Sequence, residues 1–300
     1  VARILCKTHA ELAVTDMADY ALDALKNSQV KNVYILGRRG PAQAAFTPPE
    51  IKEMGEFEDA DVTVPQDEAA LDTDSAAALE AGGDKNAQKN VTFIEEYASR
   101  EISGKSRLLT IRFLVSPTEL VGEEGRVTGI KLVKNKLVRG DDGSIRPQAT
   151  DEEEIIPVGL VFRSVGYLGQ PLLEIPYDER NGTIRNLAGR VEAEDGSPVS
   201  GIYTAGWIKR GPTGVIGTNK TCAQETVGCM VEDLAAGQIN MPEDPSVGGA
   251  QKLIDARQPE SISYPEWLRI DAEETSRGEA DGRPRVKFSD IAQMVAIAKS

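Results

Sequence analysis

Val33-Tyr34-Ile35-Leu36-Gly37-Arg38-Arg39-Gly40-Pro41 decides the fold: four apolar residues in an unbroken run end on a glycine, and a basic turn follows. Such a run suits a strand covered on both faces of a parallel sheet, and glycine lets the chain turn sharply at its end. Ahead of it the spacing predicts helix. Val1 to Leu5 reads as the tail of one helix, with Val1, Ile4 and Leu5 on one side. A second is expected from about Asp16, with Thr15 as N-cap, Asp16 and Asp19 in the first turn, and Met17, Leu22 and Leu25 at helical spacing. Helix, buried strand and a loop carrying special residues make the rhythm of a doubly wound α/β nucleotide-binding domain.

Downstream, residues 55–90 are acidic and alanine-rich, which predicts a solvated helical excursion. Leu108 to Phe113, Val127 to Val133 and Glu154 to Pro157, separated by Glu123-Glu124-Gly125 and Asp141-Asp142-Gly143, predict antiparallel strands and hairpins added to the parallel sheet. Val158 to Val165 reads as a second buried strand. Gly189 to Val191 and Gly201 to Gly206 read as a short strand pair leading into a glycine-rich turn. A helix with Val227, Met230, Val231 and Leu234 inward follows and ends near Gly237; Met241 to Gly249 is a linker. Beyond it lie a helix, a segment bearing Trp267 and a last helix capped by Ser289.

At 300 residues and 40% hydrophobic, the chain has room for one large or two medium domains. Its 48 acidic residues against 34 basic give a net charge of −14, which disfavours nucleic acid and anionic lipid as partners. No apolar run approaches the roughly 20 residues of a membrane span, and no basic segment followed by an apolar one opens the chain, so a soluble, cytoplasmic protein is expected. Cys6, Cys222 and Cys229 form no close pair, so they read as core or helix-face thiols rather than disulfides or zinc ligands. The seven-residue spacing of the last two lacks the C-x-x-C pattern of disulfide reductases. His9, the lone histidine, carries no catalytic or metal expectation, and no metal site is expected elsewhere.

Arg38 and Arg39 stand where, in a dinucleotide-binding sheet, the chain faces the adenosine ribose. A carboxylate there accepts from the 2'-hydroxyl, whereas arginine accommodates a 2'-phosphate, so the pair points to NADP over NAD. Taken alone, the turn is equally an exposed basic loop. The second candidate is Ala205-Gly206-Trp207-Ile208-Lys209-Arg210-Gly211-Pro212-Thr213-Gly214-Val215-Ile216-Gly217, running into a helix. Small residues let a flat ligand approach the backbone, free amides at a helix start favour negative charge such as that of a reduced flavin, and Trp207 offers a ring. A glycine-rich turn beside a core tryptophan is the alternative.

Four strings together, VYILGRRGPAQAAFTPPE (33–50), FRSVGY (162–167), GIYTAGWIKRGPTGVIGTN (201–219) and GRPRVK (282–287), resemble adrenodoxin reductase and the bacterial ferredoxin-NADP reductases of that type. The resemblance implies electron flow from NADPH through FAD to a ferredoxin-type iron-sulfur protein. It implies that Arg38 and Arg39 bind the 2'-phosphate and that Glu50 orients the nicotinamide side. It further implies that Trp207 and the backbone at Gly214, Val215 and Ile216 contact FAD, with Trp207 and Gly214 also near NADPH. Residues 1–163 would then form a Rossmann-like three-layer NADP-binding domain with added antiparallel strands, lacking its first strand and phosphate loop. Residues 164–300 would form the C-terminal part of a Rossmann-like FAD-binding domain with an extension. The family's glycine-rich phosphate loops are expected upstream of Val1, since no GxGxxG occurs in the chain and Gly211 to Gly217 has a different spacing. A polypeptide of these residues alone is expected to hold FAD weakly.

An acidic chain needs a local basic patch to dock an acidic ferredoxin, and Arg100, Lys105, Arg107 and Arg112 are the expected one, with Lys209 and Arg210 adding to it. Two other readings remain open. One is a non-catalytic NADP-binding module; the other is the flavin subunit of a glutamate-synthase-like complex.

Overall fold

Parallel strands need crossover connections, and helices supply them in the first of two contact units, Val1–Val161 with Ile262–Ser300. The computed structural model describes every residue except Gly83, Asp142 and Val215, and the backbone alone of Ile216. The chain runs through α1 (Ala2–Cys6), α2 (His9–Ala13), α3 (Asp19–Lys26), β1 (Asn32–Leu36), α4 (Pro48–Met54), β2 (Ala60–Thr63), α5 (Gln66–Ala69), α6 (Thr73–Glu80) and α7 (Lys85–Ser99). The strands β3 (Arg107–Arg112), β4 (Val115–Glu123), β5 (Arg126–Arg139) and β6 (Ile145–Pro157) follow.

The parallel sheet has the order β1-β3-β2, with Leu109 between Val33 and Val62. Those side chains share a core with Ile51 and Met54 of α4 and with Ile94 and Tyr97 of α7. β1 thus forms where the apolar run predicts it. β3 departs from expectation: its apolar residues alternate like those of a hairpin strand, yet it is the central parallel strand. The alternation arises because Leu109 and Ile111 are buried, whereas Arg112 points to carboxylates and is satisfied by them. β2 is also unexpected, lying inside the acidic 55–90 segment. Its Asp61 is buried but accepts from the Ser103 hydroxyl at 2.7 Å and from the amides of Gly104 and Lys105 at 2.9 and 3.1 Å. Burial acts to raise that carboxyl, and the donors outweigh it, holding it below the usual carboxylate range.

The helical start differs in detail. Val1 and Ile4 are exposed, and Leu5 and Cys6 face the core instead. Thr15 does not cap α3, which begins only at Asp19: its hydroxyl donates back to the Leu12 carbonyl at 2.6 Å and accepts from the Met17 amide at 3.3 Å. Burial pushes the Cys6 thiol up to about 11, against the opposing field of Arg107. Native chain at pH 8 should therefore leave Cys6 unmodified by a disulfide reagent until urea unfolds it, as read by peptide mass spectrometry. Rapid native labelling would contradict this packing.

β4, β5 and β6 form the expected antiparallel meander around Leu132 and Val115. Two C-terminal helices, α8 (Tyr264–Ala280) and α9 (Ile291–Lys299), belong to the same unit. Arg283 ties them in, donating to the carbonyls of Thr15 and Met17 and pairing with Asp19 at 2.6 Å. The contact division therefore differs from a boundary that groups 164–300 together, because these partners are remote in sequence. The last helix is capped by Asp290 rather than Ser289, accepting from Gln293 N at 2.8 Å.

The Ser263 amide, then Lys299 and the Ser263 hydroxyl, pull the Glu266 carboxyl down to about 2. A depressed value stabilises the fold fully above the unfolded value of 4.5 and loses that contribution as pH falls toward about 2. The urea midpoint should drop across that window, and Glu266→Gln should remove part of the slope. An identical slope in the variant would count against the assignment.

In the second unit, Phe162–Ser261, the strands βa (Asn186–Leu187), βb (Arg190–Glu192) and βc (Pro198–Tyr203) form an antiparallel sheet, which includes the expected pair. Val158 to Val165 forms no strand among the described residues: the Val158 amide still donates to Thr128 O of β5 at 3.3 Å, but Phe162 and Val165 are exposed. The long helix Ile216–Ala235 turns the opposite face inward from the one expected. Cys222, Thr226 and Cys229 are buried, and Val227, Met230, Val231 and Leu234 are exposed. Close approach selects the small face: a Cβ on Gly189 would lie 2.4 Å from the Thr226 hydroxyl oxygen.

Candidate functional site

The turn after β1 is held from beneath by its backbone. The Gly37 amide donates to Arg112 O at 2.8 Å, and the Gly37 and Arg39 carbonyls accept from the amides of Val115 and Leu114, each at 3.1 Å. Gln43 Oε1 accepts from the Gly40 amide at 3.1 Å, and Gln43 Nε2 donates to the buried Ser75 hydroxyl at 2.8 Å. The side chains carried by this fixed turn behave oppositely. Arg38 and Arg39 are exposed, and neither forms an ion pair or side-chain hydrogen bond among the described residues. In a chain of net charge −14, two unpaired guanidinium groups on a rigid turn are positioned to receive an anion bidentately.

Glu50 lies in the first turn of α4. Its carboxylate accepts from the Thr47 amide at 2.8 Å and hydroxyl at 2.9 Å, with Arg3 3.6 Å away. The Thr47 amide, then its hydroxyl, holds the carboxyl below the usual range, so it is an anion and an acceptor. Glu50 pairs with neither Arg38 nor Arg39.

The expected basic patch does not assemble as a cationic surface. Arg112 is mostly covered, its side chain 11% exposed, with Glu68 at 2.6 Å and Glu154 at 2.5 Å. Arg100 pairs with Glu96 and lies over the Tyr97 ring, Lys105 donates to Phe57 O at 2.6 Å, and Arg107 donates to Lys7 O at 3.2 Å. Asp59 and Asp61 accept from this same stretch, through Ser106 and through Ser103 to Lys105, so its positive charge is locally offset. Lys209 is likewise paired, with Glu225 at 2.5 Å.

In the second unit, Gly206 adopts φ +76°, a conformation glycine tolerates, and a Cβ there would meet nothing within 4 Å. It opens a short helix, Trp207–Arg210, and Trp207 stacks on Tyr167 with ring centroids 6.3 Å apart. Both rings are exposed. The sequence reading missed Tyr167 as a site residue, although an aromatic directly after Gly166 was its signal. Arg210 closes the following turn, donating to Thr213 O at 3.0 Å and Asn219 Oδ1 at 2.7 Å, while its buried Nε and Nη1 have no acceptor among the described residues. Gly214 has φ +82°, and a Cβ there would collide with the Thr218 side chain at 2.6 Å. Ile216 begins the long helix; Val215 lies outside the described residues. The segment therefore presents open glycine backbone, a stacked aromatic pair and unsatisfied donors together. Among the described residues there is no cluster of potential metal ligands and no helix long and apolar enough to cross a membrane.

No family model matches the chain. It is 42% identical over 304 residues to the NADPH-ferredoxin reductase FprA of Mycobacterium tuberculosis, covering 99% of this chain and 64% of that protein. Against the mitochondrial NADPH:adrenodoxin oxidoreductase of Salvelinus fontinalis it is 35% identical, covering 100% of this chain and 61% of that one. The structure of M. tuberculosis FprA in complex with NADPH superposes with a TM-score of 0.90 at 40% identity, covering 100% of this chain and 64% of the other. The chain thus spans somewhat less than two thirds of the length of these relatives. In both sequence and backbone, from one end of the chain to the other, it is similar to proteins named NADPH-ferredoxin reductase and NADPH:adrenodoxin oxidoreductase.

Proposed function

We propose that this chain supplies the pyridine-nucleotide side and part of the flavin side of an NADPH-dependent reductase, which passes electrons through FAD to a ferredoxin-type iron-sulfur protein. The observation that carries the reading is the pair of exposed, unpaired arginines on a backbone-fixed turn at the end of a parallel strand. Arg38 and Arg39 would hold the 2'-phosphate, and the ionised Glu50 would accept a hydrogen bond on the nicotinamide side. The residues of the second segment fit a flat, polar cofactor: Gly206 is open, Trp207 and Tyr167 present ring faces, and Arg210 holds buried N–H groups without acceptors among the described residues. Trp207 with the backbone at Gly214, Val215 and Ile216 is the proposed FAD-contacting set. When bound, the two cofactors supply hydride transfer between nicotinamide and flavin and single-electron delivery onward. The chain's own part is selection by charge, orientation, and exclusion of water beside the rings.

The division into an NADP-binding part and an FAD-binding part belongs to this proposal, as does a cytoplasmic location, which three buried, unbridged thiols support. Because Arg100, Lys105 and Arg107 are locally offset by acids and Arg112 is paired with Glu68 and Glu154, we do not place ferredoxin docking on that stretch. The test is anaerobic mixing of flavin-loaded protein with NADPH or NADH. Bleaching of the flavin absorbance should be at least about tenfold faster at equal low concentrations of NADPH, the difference expected when one charged interaction of about 1.5 kcal/mol selects the cofactor. Equal rates would refute the reading.

A further inference from the structure

Three consecutive carbonyls of the arginine turn are each taken by a donor, the outer two from the segment that leaves β3 and the middle one from β5. Gly37 O accepts from the Val115 amide, Arg38 O from Asn135 Nδ2 at 2.9 Å, and Arg39 O from the Leu114 amide. The outer two bonds are backbone to backbone and indifferent to side-chain identity. The middle one is not, so the peptide carrying Arg38 depends on which residue stands at 135.

Asn135 is itself tightly held. It is buried, its own amide donates to Leu114 O at 2.7 Å, and the second hydrogen of Nδ2 goes to Ser116 Oγ at 2.8 Å, which engages both donor positions of the side-chain amide. The β5–β6 ladder shifts register between Val133 and Asn135, and a bulge of that kind re-aims a side chain out of its regular pleat. Two positions further on, Leu137 packs so close to Gly40 that a Cβ there would lie 3.3 Å from its Cδ1. β5 therefore touches the turn through a polar contact and an apolar one, and the polar one reaches Arg38 directly.

We propose that Asn135 is a positioning residue for 2'-phosphate recognition: by fixing the Arg38 peptide it keeps the two guanidinium groups preorganised for the anion. This rests on the reading that Arg38 and Arg39 bind that phosphate. A free turn would have to be ordered on binding, and the lost preorganisation appears as weaker binding of ligands carrying the phosphate, not of those lacking it.

The test uses the purified chain with adenosine 2',5'-bisphosphate and with 5'-ADP, by calorimetric titration. Asn135→Ala should weaken the bisphosphate about tenfold, as expected for one lost hydrogen bond and its geometry, and change 5'-ADP by less than about twofold. Ser116→Ala, which leaves the amide in place but removes its second partner, should give a smaller loss of the same selectivity. Asn135→Gln, which keeps a donor, should recover part of it. In an Arg38→Ala/Arg39→Ala background, Asn135→Ala should have no further effect on the ratio. An unchanged ratio in both Asn135→Ala and Ser116→Ala, or equal losses for both ligands, would overturn the proposal. If the arginine variants abolish selectivity while the Asn135 and Ser116 variants keep it, Asn135 alone is misassigned. If the arginine variants themselves keep it, the underlying reading falls with it.

Discussion

Replacing Arg38 and Arg39 together with alanine is expected to cost about 1.5 to 3 kcal/mol in NADPH binding for each charged hydrogen bond removed, and to leave NADH binding within about twofold. The size follows from what the two side chains lack in the free chain. Neither is committed to a carboxylate among the described residues, so nothing must be broken before they engage a phosphate. The turn that carries them is already fastened at Gly37, Arg38 and Arg39, so little ordering opposes binding. Each single variant should show part of the loss. Titration with both nucleotides is the check, and a loss shared equally by NADPH and NADH would mean that the arginines support the fold instead of reading the phosphate.

Glu68→Ala should destabilise the first unit by about 3 kcal/mol, the scale seen when one partner of a buried ion pair is removed. Glu68 is buried and accepts from Arg112 Nε at 2.8 Å and from the Phe113 amide at 2.8 Å, with Arg112 Nη2 at 2.6 Å. Its loss leaves the Arg112 guanidinium with Glu154 alone, in a place it cannot leave without exposing the central strand. The Glu68 hydrogen bonds, then those of Glu154, hold the Arg112 pKa above its ordinary value, so it keeps its charge at any accessible pH. Glu154→Ala should cost less, because Glu154 is partly solvated. Urea denaturation reads both values, and a loss below about 1 kcal/mol for Glu68→Ala would show that the pair is dispensable. Since Arg112 O accepts from the Gly37 amide, the same variant should also loosen the arginine turn.

Local signals that coincide with tertiary demand were readable in the sequence. The Val33 to Leu36 run forms a parallel strand because its neighbours cover it, and the turn after it keeps its arginines exposed because nothing nearby competes for them. Gly206 and Gly214 have the backbone freedom their positions require. What could not be read depends on partners distant in the chain. β3 alternates like a hairpin strand, and only the pairing of Arg112 with Glu68 and Glu154 makes a charged residue acceptable at the centre of a sheet. β2 hides Asp61, a residue that argues for a loop until Ser103, Gly104 and Lys105 supply its donors. The long helix after Val215 carries two usable faces, and the smaller one won because Gly189 and Thr204 come close to Thr226. The basic stretch from Arg100 to Arg112 looked like a docking surface because its acidic partners lie 4 to more than 40 residues away, as with Glu96 beside Arg100 and Asp61 beside Lys105. Asn135 gave no local sign of any role, since its meaning lies in a bond to a carbonyl 97 positions earlier.

The most direct test of the central claim, that the turn after β1 selects a 2'-phosphate, is calorimetric titration of the unmodified chain with adenosine 2',5'-bisphosphate and with 5'-ADP at low and high salt. The bisphosphate should bind at least about tenfold more tightly at low salt, and the gap should narrow as salt screens the exposed guanidinium groups. Equal affinity for the two ligands, or a gap indifferent to salt, would contradict the account.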